Sequence, residues 1–488
     1  MDHSFKISGQ DPWGLAISWQ SYRFTAKERG VHRGRIGMRR GRSLSVRSRG
    51  ISSGVGVGGF GLSMAALKNG RQNPGKSSLR ICLLTYRGNP TCGGQGVYIK
   101  YLSRALRELD HEVDVLSGPP YPELDEGITL HKIPGLDLYN PDHLFKIQKI
   151  RELSSPVNQF EFLSMCSGGF PEPFTFGFRA HRYLMRGRNG YDVIHDNQSL
   201  SYGLLGIAAK GYPTVATIHH PITVDRETEI HAAGSWLRRM KVRRWYTFLA
   251  MQKRVSRRLP KIITVSECSK RDISREFQLP AERFRVVPNG INTDFFYPLE
   301  GVKRADDMIL VTNSADTPLK GLRYLLEAVA QIRRERAIRV VVIGKPKENG
   351  AIESLVAELS LADTVRFTGR IADHEFARYY AETTMAVIPS LYEGFGMPAG
   401  EAMACGVPVI STTGGALPEV VGDAGVLVPP ADTEALRQAI VGLLNDPGKR
   451  IRLGEAGLTR VKGSLTWRHA AQKTVEVYRE AMDAHGRL

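Results

Sequence analysis

Short apolar runs alternate with helical segments from Leu79 onward, and this alternation restricts the fold more than any other feature. LRICLLTY (79–86) predicts a buried strand, TCGGQG a glycine-rich turn, and residues 97–109 a helix with an apolar stripe. HEVDVLS (111–117) predicts the next strand. A strand, turn, helix and strand in this order form a βαβ unit, which favours a doubly wound α/β domain.

The same alternation starts again after a polar linker. MILVTNS, RVVVIGKP, TVRFTGRI and TMAVIPS are apolar runs separated by helical segments, so the second half of the chain predicts another α/β domain. A length of 488 residues is enough for two or three domains. We predict a tail at 1–78, a first domain at 79–298, a linker at 299–307, a second domain at 308–465 and a last helix at 466–488.

Positive charge is concentrated at the start of the chain. Residues 1–78 hold 14 Lys or Arg and 3 Asp or Glu, and so carry 11 of the 18 net positive charges. This segment is rich in Gly, Ser and Arg and has little apolar surface, so we predict a disordered basic tail. A transit peptide, a signal sequence over Ile51–Leu67 and an upstream extension with the true start near Met64 stay open as interpretations.

Several classes of protein are disfavoured by composition. The five cysteines form no C-x-x-C pair and are odd in number, which favours a reducing, cytoplasmic location over a disulfide framework. No run of 18 unbroken apolar residues follows Ile81, so no membrane-spanning helix is expected. The basic charge comes without a recognition module, so nucleic acid is not expected as a partner.

A ligand site is predicted in the stretch PSLYEGFGMPAGEAMACGVPVI. Gly394 and Gly396 allow close backbone approach to a ligand, and Pro398 suits the first turn of a helix. Glu393 therefore lies on the loop and Glu401 on the first turns of the helix. Unpaired N–H groups at a helix start favour an anion such as a phosphate. One carboxylate is then placed to serve a sugar and the other a ribose, whereas two solvated surface acids are the alternative.

This stretch resembles the E-x7-E motif of the retaining family 4 glycosyltransferases, which have the GT-B fold. VVPNGIN, followed by aromatic residues and a proline, is similar to a second signature of that family. The resemblance covers residues 79–485 and implies two Rossmann-like domains facing across a cleft, with the C-terminal helix crossing back to the first domain. It also implies retaining transfer from a nucleotide-sugar donor, a substrate rather than a cofactor, to a hydroxyl of a glycan or lipid-linked acceptor.

The resemblance assigns roles to individual residues. Glu393 would position the sugar, Glu401 would hold ribose hydroxyls, and His219 would lie near the reacting sugar. Gly93 and Gly94 would face the donor diphosphate, and the segment around Arg370 and Ile371 would contact the nucleobase. The predicted catalytic residues are His219, Lys320 and Glu393, and the predicted donor-binding residues are Gly93, Gly94, Arg370, Ile371, Gly394, Phe395, Gly396 and Glu401.

No metal ligand is predicted, because no two aspartates have D-x-D spacing. In the family a Lys before a glycine and an Arg after the first strand of the second domain are typical. Here Lys320 precedes Gly321, but Asn313 and Ser314 occupy the region expected for the Arg. We therefore expect Lys320 to meet the phosphates in a metal-independent reaction.

Two segments and the activity itself keep alternatives open. Residues 119–190 contain six phenylalanines between Phe160 and Phe178, which suit either core or acceptor-binding loops. Residues 235–258 predict a basic amphipathic helix, which either docks on an anionic membrane surface or covers a sheet. The alternatives to a transferase are a GT-B-fold nucleotide-sugar epimerase and an inactive binding subunit of an envelope-glycan assembly complex.

Overall fold

The computed structural model describes residues 78–89, 94–140, 150–187, 190–312, 316–369 and 371–486. Except for Ser78, the predicted basic tail lies outside this part. The described strands form two sheets in which every pairing is parallel. Within the described residues, no helix is both long enough and apolar enough to cross a bilayer.

The first sheet has the order β3-β2-β1-β4-β5-β6-β7, with strands β1 Arg80–Thr85, β2 Glu112–Ser117, β3 Thr129–Lys132, β4 Val193–Asn197, β5 Thr214–Ile218, β6 Lys261–Thr264 and β7 Phe284–Val286. Its helices are α1 Gly94–Arg107, α2 Pro156–Cys166, α3 Glu172–Arg186, α4 Tyr202–Ala209, α5 Ile222–Ala232, α6 Trp236–Trp245, α7 Phe248–Ser256 and α8 Glu267–Phe277.

The second sheet has the order β10-β9-β8-β11-β12-β13, with strands β8 Met308–Thr312, β9 Arg339–Ile343, β10 Val365–Phe367, β11 Met385–Ile388, β12 Val409–Thr412 and β13 Gly425–Val428. Its helices are α9 Leu322–Ile332, α10 Ala351–Glu358, α11 Asp373–Glu382, α12 Met397–Ala404, α13 Leu417–Val421, α14 Thr433–Asn445, α15 Pro447–Ser464 and, last in the chain, α16 Trp467–His485.

Helices cover both faces of the first sheet, and the strand sequences show why. Leu84 and Ile262 belong to one hydrophobic core, whereas their neighbours Leu83 and Ile263 belong to another. Alternate side chains of a strand point to opposite faces, so an apolar run without alternation must be buried on both sides. This burial explains the parallel, doubly wound arrangement that the sequence predicts.

The last helix returns to the first sheet, as the resemblance implies. Trp467, Ala471 and Tyr478 of α16 pack in the core that contains Leu83 and Val193 of the first sheet. A parallel bridge between Ile291 and Thr466 brings the chain back toward the first sheet just before the helix begins. The predicted GT-B arrangement of two Rossmann-like units with a crossing C-terminal helix is therefore confirmed.

Part of the segment 119–190, for which core and acceptor-binding loops were both open, is helical. It contains a 3₁₀ turn at Ile150–Ser154 and the helices α2 and α3. Prolines stand in the first turn of both helices, where the missing N–H costs nothing. Phe170 is 3% exposed and belongs to the core, whereas Phe160 is 50% exposed and stays a candidate for acceptor contact.

The predicted basic helix over residues 235–258 is wrong as a single element. The structure has two helices, α6 and α7, separated at Tyr246 and Thr247. Trp245 turns inward and stacks on Phe170 with ring centroids 5.0 Å apart. This tertiary contact ends the exposed amphipathic face and directs α7 into the core, so α7 covers the sheet whereas α6 stays largely exposed.

Candidate active site

Glu393 lies in the loop between β11 and α12, where its carboxylate is almost fully buried. The residue is 3% exposed, and its Oε1 accepts from Lys320 Nζ at 2.7 Å and from Ser390 Oγ at 2.8 Å. A buried carboxylate is tolerated only when an opposite charge and hydrogen bonds compensate for lost water. The structure thus brings together two of the three predicted catalytic residues, Glu393 and Lys320.

Gly321 allows Lys320 to reach Glu393. Lys320 is the last residue of a 3₁₀ turn, Pro318–Lys320, and Gly321 follows it with a φ of +64°. A Cβ on Gly321 would collide with the carbonyl of Pro389, which begins the Glu393 loop. The lysine and the loop are therefore held side by side by a backbone contact that only glycine permits.

The other side of the Glu393 loop is fixed by the segment after β12. The amide of Ala416 donates to the carbonyl of Glu393 at 2.8 Å. Thr412 Oγ1 donates to the carbonyl of Ser390, and the amide of Gly414 donates back to Thr412 Oγ1 at 3.1 Å. These bonds fix the backbone of the loop that carries Glu393.

Phe395 and Gly396, which follow Glu393, have different structural roles. Phe395 is 5% exposed and packs in the core of the second sheet, so its side chain has a structural role. Gly396 adopts a φ of +101° and caps α12, where an added Cβ would lie 2.6 Å from Leu417 Cδ2. The N-terminal end of α12 is thereby set immediately beyond Glu393.

The remaining donor-side predictions lie around α12. Glu401, in the second turn of that helix, is 4% exposed, and Tyr380 OH lies 3.5 Å from its Oε2. Ile371 is 7% exposed and packs with Tyr380 in the core, which leaves its backbone for any ligand contact. Arg370 lies outside the described residues.

His219 follows β5 and faces the same region from the first sheet. Its Nε2 lies 2.8 Å from Asn197 Oδ1, and its ring meets the Tyr98 ring edge-on at 4.7 Å. Burial lowers the pKa of His219 to about 3, with smaller contributions from His220 and His195. A neutral imidazole is suited to hydrogen-bond a hydroxyl, not to bind a phosphate by charge.

The Glu393 loop contacts the segment His219–His220, which follows β5. A Cβ added at Gly394 would lie 3.1 Å from His220 Cβ and 3.3 Å from the carbonyl oxygen of His219. Any side chain at this position would require its neighbours to shift by a few tenths of an ångström. The contact gathers the predicted catalytic residues at the carboxyl ends of strands from both sheets, where open α/β sheets bind ligands.

His220 is a site residue to which the sequence assigned little. Its Nε2 lies 2.9 Å from Asp225 Oδ2. Burial lowers the pKa of His220, but Asp225, with help from Glu393, raises it more, so the net pKa is above the ordinary value. The sequence signal for this pair was Asp225, five residues after His220 and in the first turn of α5.

The glycine loop of the first sheet is only partly described. Gly94 is exposed and begins α1, so its amide belongs to the unpaired N–H groups of a helix start. Gly93 lies outside the described residues. Gly96 approaches the carbonyl of Asn89 so closely that a Cβ would collide with it, which fixes the turn before α1.

Two family models match the chain. Residues 92–295 match Glycosyltransferase Family 4, and residues 306–446 match Glycosyl transferases group 1. A mannosyltransferase from Mycolicibacterium hassiacum, named MMP alpha-(1->4)-mannosyltransferase, is 47% identical over 408 residues, 83% of this chain and 98% of that protein. A D-inositol 3-phosphate glycosyltransferase from Thermobispora bispora is 28% identical over 86% of this chain and 97% of that protein.

Solved structures show the same architecture. Sucrose-phosphate synthase from Thermosynechococcus elongatus has a TM-score of 0.63 and 28% identity, covering 83% of this chain and 100% of that one. HepE from Anabaena, solved with UDP and glucose, has a TM-score of 0.59 at 18% identity, covering 82% and 99% of the two chains. The comparisons give no support to the epimerase alternative. The chain is a glycosyltransferase of GT-B fold and belongs to the family 4, group 1 glycosyltransferases.

Proposed function

We propose that this enzyme is a retaining α-mannosyltransferase that moves mannose from a nucleotide-linked donor to a hydroxyl of a saccharide acceptor. The observation that carries the proposal is the 47% identity along 98% of a relative named for α-(1→4) mannosyl transfer. Its site geometry is compatible, because the loop that carries the Lys320-paired Glu393 approaches the backbone of the segment that carries the neutral His219. A lipid-linked acceptor is the alternative, and the acceptor panel described below distinguishes the two.

Donor chemistry would be concentrated in the second half of the chain. The Lys320 ammonium, whose Nζ lies 2.7 Å from Glu393 Oε1, is the cation that we assign to the departing diphosphate. The start of α12 adds backbone amides and the positive end of the helix dipole. Such groups stabilise charge that develops on the leaving group, which is often the largest single contribution to catalysis.

The sugar and the ribose would be held by different carboxylates. Glu393, fixed by Lys320 and Ser390, would accept from hydroxyls of the transferred sugar. Glu401, next to Tyr380, would accept from the ribose. His219 would contact the sugar or the acceptor hydroxyl from the first sheet. Gly93, Gly94, Arg370 and Ile371 keep their predicted donor contacts as part of this proposal.

Metal independence is part of the proposal. Within the described ranges, no cluster of three His, Cys, Asp or Glu side chains is arranged to hold a metal ion. We expect activity to persist in excess chelator. Loss of activity in chelator with recovery on adding magnesium would contradict this part of the mechanism.

The experiment that tests the function pairs a donor panel with an acceptor panel. Mannose, glucose and galactose linked to GDP, UDP or ADP are incubated with mannose oligosaccharides or with lipid extract, and nucleotide release is measured. We expect release from a mannose donor that depends on the oligosaccharide. Release only with lipid extract would favour a lipid-linked acceptor, and equal release without any acceptor would contradict transfer.

An anionic membrane surface is a further proposed partner, carried by α6. Between Trp236 and Trp245 this helix has five Lys or Arg and no acidic residue. Its side chains Trp236, Leu237 and Met240 are between 53% and 69% exposed. Peripheral attachment at the inner face of the membrane predicts co-sedimentation with anionic vesicles that weakens at high salt. Equal binding to neutral vesicles would contradict the electrostatic part of this proposal. No binding at low salt would mean that the basic face of α6 is only solvated.

A cytoplasmic location is proposed on the cysteine chemistry. In the described part of the chain, Cys82, Cys166, Cys268 and Cys405 are free thiols. Free thiols are typical of reducing compartments. Fractionation of cells that express the protein would show whether it is recovered with cytoplasmic proteins or with membranes.

A further inference from the structure

The N-terminal end of α8, in the first half of the chain, binds a carboxylate from the second half. Glu419, in the short helix α13, accepts from the backbone amide of Glu267 through Oε2 and from that of Cys268 through Oε1, both at 2.7 Å. One carboxylate thus satisfies two of the amides that a helix start leaves unpaired. The helix dipole strengthens this contact, because its positive end faces the negative charge.

Two serines of the same helix start hold the backbone beside Glu393. Ser266 Oγ and Ser269 Oγ donate to the carbonyl of Gly394 at 2.9 Å and 3.1 Å. Ser266 also caps α8 by accepting from the amide of Ser269. Gly394, which follows Glu393, is therefore anchored by side chains at the start of α8 in the first half.

A third contact involves the residue that precedes Glu393. Tyr392 OH donates to Asp272 Oδ2, one turn further along α8, at 2.8 Å. Glu393 is consequently bracketed by two neighbours, Tyr392 and Gly394, each bonded to α8. None of these α8 contacts belongs to the donor machinery proposed above.

We propose that the start of α8 is the docking point that positions Glu393 when the two halves of the enzyme close, with Glu419 as the latch. This inference rests on the proposed role of Glu393. The bonds to Glu419, Gly394 and Tyr392 all join residues more than 100 positions apart and would all break if the halves separated. Glu419 and Tyr392 are then positioning residues, which act through the geometry of the Glu393 loop.

The chemistry explains why glutamate suits position 419. Its two equivalent oxygens can accept from two adjacent amides at once, whereas a glutamine offers one oxygen and one NH₂ group that repels a donor. Aspartate keeps the charge on a shorter side chain. Glu419→Gln should therefore release the latch, and Glu419→Asp should restore it in part.

The test measures turnover and domain closure in the full chain. We expect Glu419→Gln to lower kcat by about tenfold, because the Glu393 loop would lose one of its anchors, while the donor KM changes about twofold or less. In small-angle scattering with saturating nucleoside diphosphate, the variant should have a larger radius of gyration than the wild type. Glu419→Asp should recover part of the kcat.

A matched control removes the charge of a capping carboxylate within one half. Asp432 caps α14 by accepting from the amide of Ala435 at 2.9 Å, without joining the two halves. Asp432→Asn should change neither kcat nor the radius of gyration. Tyr392→Phe, which removes one hydroxyl, should show a smaller fall in kcat than Glu419→Gln and offers a second test if the latter folds poorly.

The outcomes separate this inference from the proposed function. Wild-type kcat and radius of gyration in both Glu419→Gln and Tyr392→Phe, with Glu393→Gln inactive, would overturn the latch alone. If Glu393→Gln kept wild-type turnover, the role of Glu393 would fail first. An equal effect of Asp432→Asn would show that the loss reflects helix stability and would also overturn the latch.

Discussion

Two buried glutamates, one in each half of the molecule, have opposite surroundings. Glu393 in the second half contacts an ammonium group at 2.7 Å and a hydroxyl at 2.8 Å. Glu172 in the first half is 5% exposed, and neither of its oxygens has a hydrogen bond among the described residues, although Arg87 lies 3.3 Å away. Burial raises the pKa of Glu172 to about 8.

The difference lies in how well each buried carboxylate is compensated by its neighbours. The Glu393 carboxylate is compensated locally by an ion pair and a hydrogen bond. Glu172 faces a narrow cavity at the carboxyl ends of β1 to β3, beside Tyr86, Asp137 and Arg179. Arg87 offsets this burial only in part. The first half, rather than the Glu393 loop, is therefore the part whose stability should depend on pH near neutrality.

The largest expected effect follows from Glu393→Gln. The amide keeps the size of the side chain but loses the charge that pairs with Lys320, so we expect kcat to fall by about a hundredfold to a thousandfold. Circular dichroism should be unchanged, and the exposed Glu455→Gln should have wild-type turnover. An active Glu393→Gln enzyme would remove the distinction between the two glutamates.

Removing Lys320, the partner of Glu393, should have the next largest effect on turnover. Lys320→Ala takes away the cation proposed for the diphosphate, so we expect turnover about a hundredfold lower. Lys320→Arg should retain part of it, and the exposed Lys449→Ala should be normal. A near-normal Lys320→Ala rate would mean that another cation, such as Arg370 or Lys345, serves the phosphates.

Neutralising Glu172 should stabilise the enzyme at higher pH. Since the pKa of Glu172 is about 8 when folded and about 4.3 when unfolded, the folded state binds the extra proton and loses stability as pH rises between these values. Glu172→Gln should therefore raise the free energy of unfolding at pH 8 by about 1–3 kcal/mol relative to wild type, with little gain at pH 4.5.

Urea unfolding at both pH values checks this prediction, with the exposed Glu455→Gln as the control. A variant that is less stable than wild type at pH 8 would show that the Arg87 contact compensates the Glu172 carboxylate after all. The two buried glutamates would then be alike.

The smallest effect concerns a buried histidine of the first half. His195 is 1% exposed, and burial lowers its pKa to about 3. The unfolded state, with a pKa of about 6.5, binds the proton first, so stability is lost as pH falls below that value. Between pH 7.5 and 5.5 the loss from His195 should be about 1.4 kcal/mol.

His195→Gln removes this titration, so its free energy of unfolding should fall less than that of the wild type over the same interval. The exposed His231→Gln should behave like the wild type. An identical pH dependence in all three proteins would mean that His195 is protonated in the folded state.

Local sequence patterns predicted the parts of the fold and site that depend on neighbouring residues. The apolar runs locate the strands, and the glycines and Pro398 locate the loop and helix around Glu393. The contact of Glu393 with Lys320 joins residues 73 positions apart, and only the resemblance suggested that both belong to one site.

Contacts between distant segments account for what the sequence did not reveal. The break between α6 and α7 depends on Trp245 stacking against Phe170, and Ser266 contacts Gly394 across 128 positions. Neither contact has a periodic or motif signal in the sequence. A capping serine, for example, looks the same in the sequence whether or not its hydroxyl also bonds to the other half.

The most direct test of the central claim is the anomeric configuration of the product. We would incubate the enzyme with α-configured nucleotide-linked mannose and a mannose oligosaccharide and record proton NMR spectra during the reaction. The account predicts a new α-linked mannosyl residue formed by wild type and only traces with Glu393→Gln. A β-linked product, or free mannose with no new linkage, would contradict it.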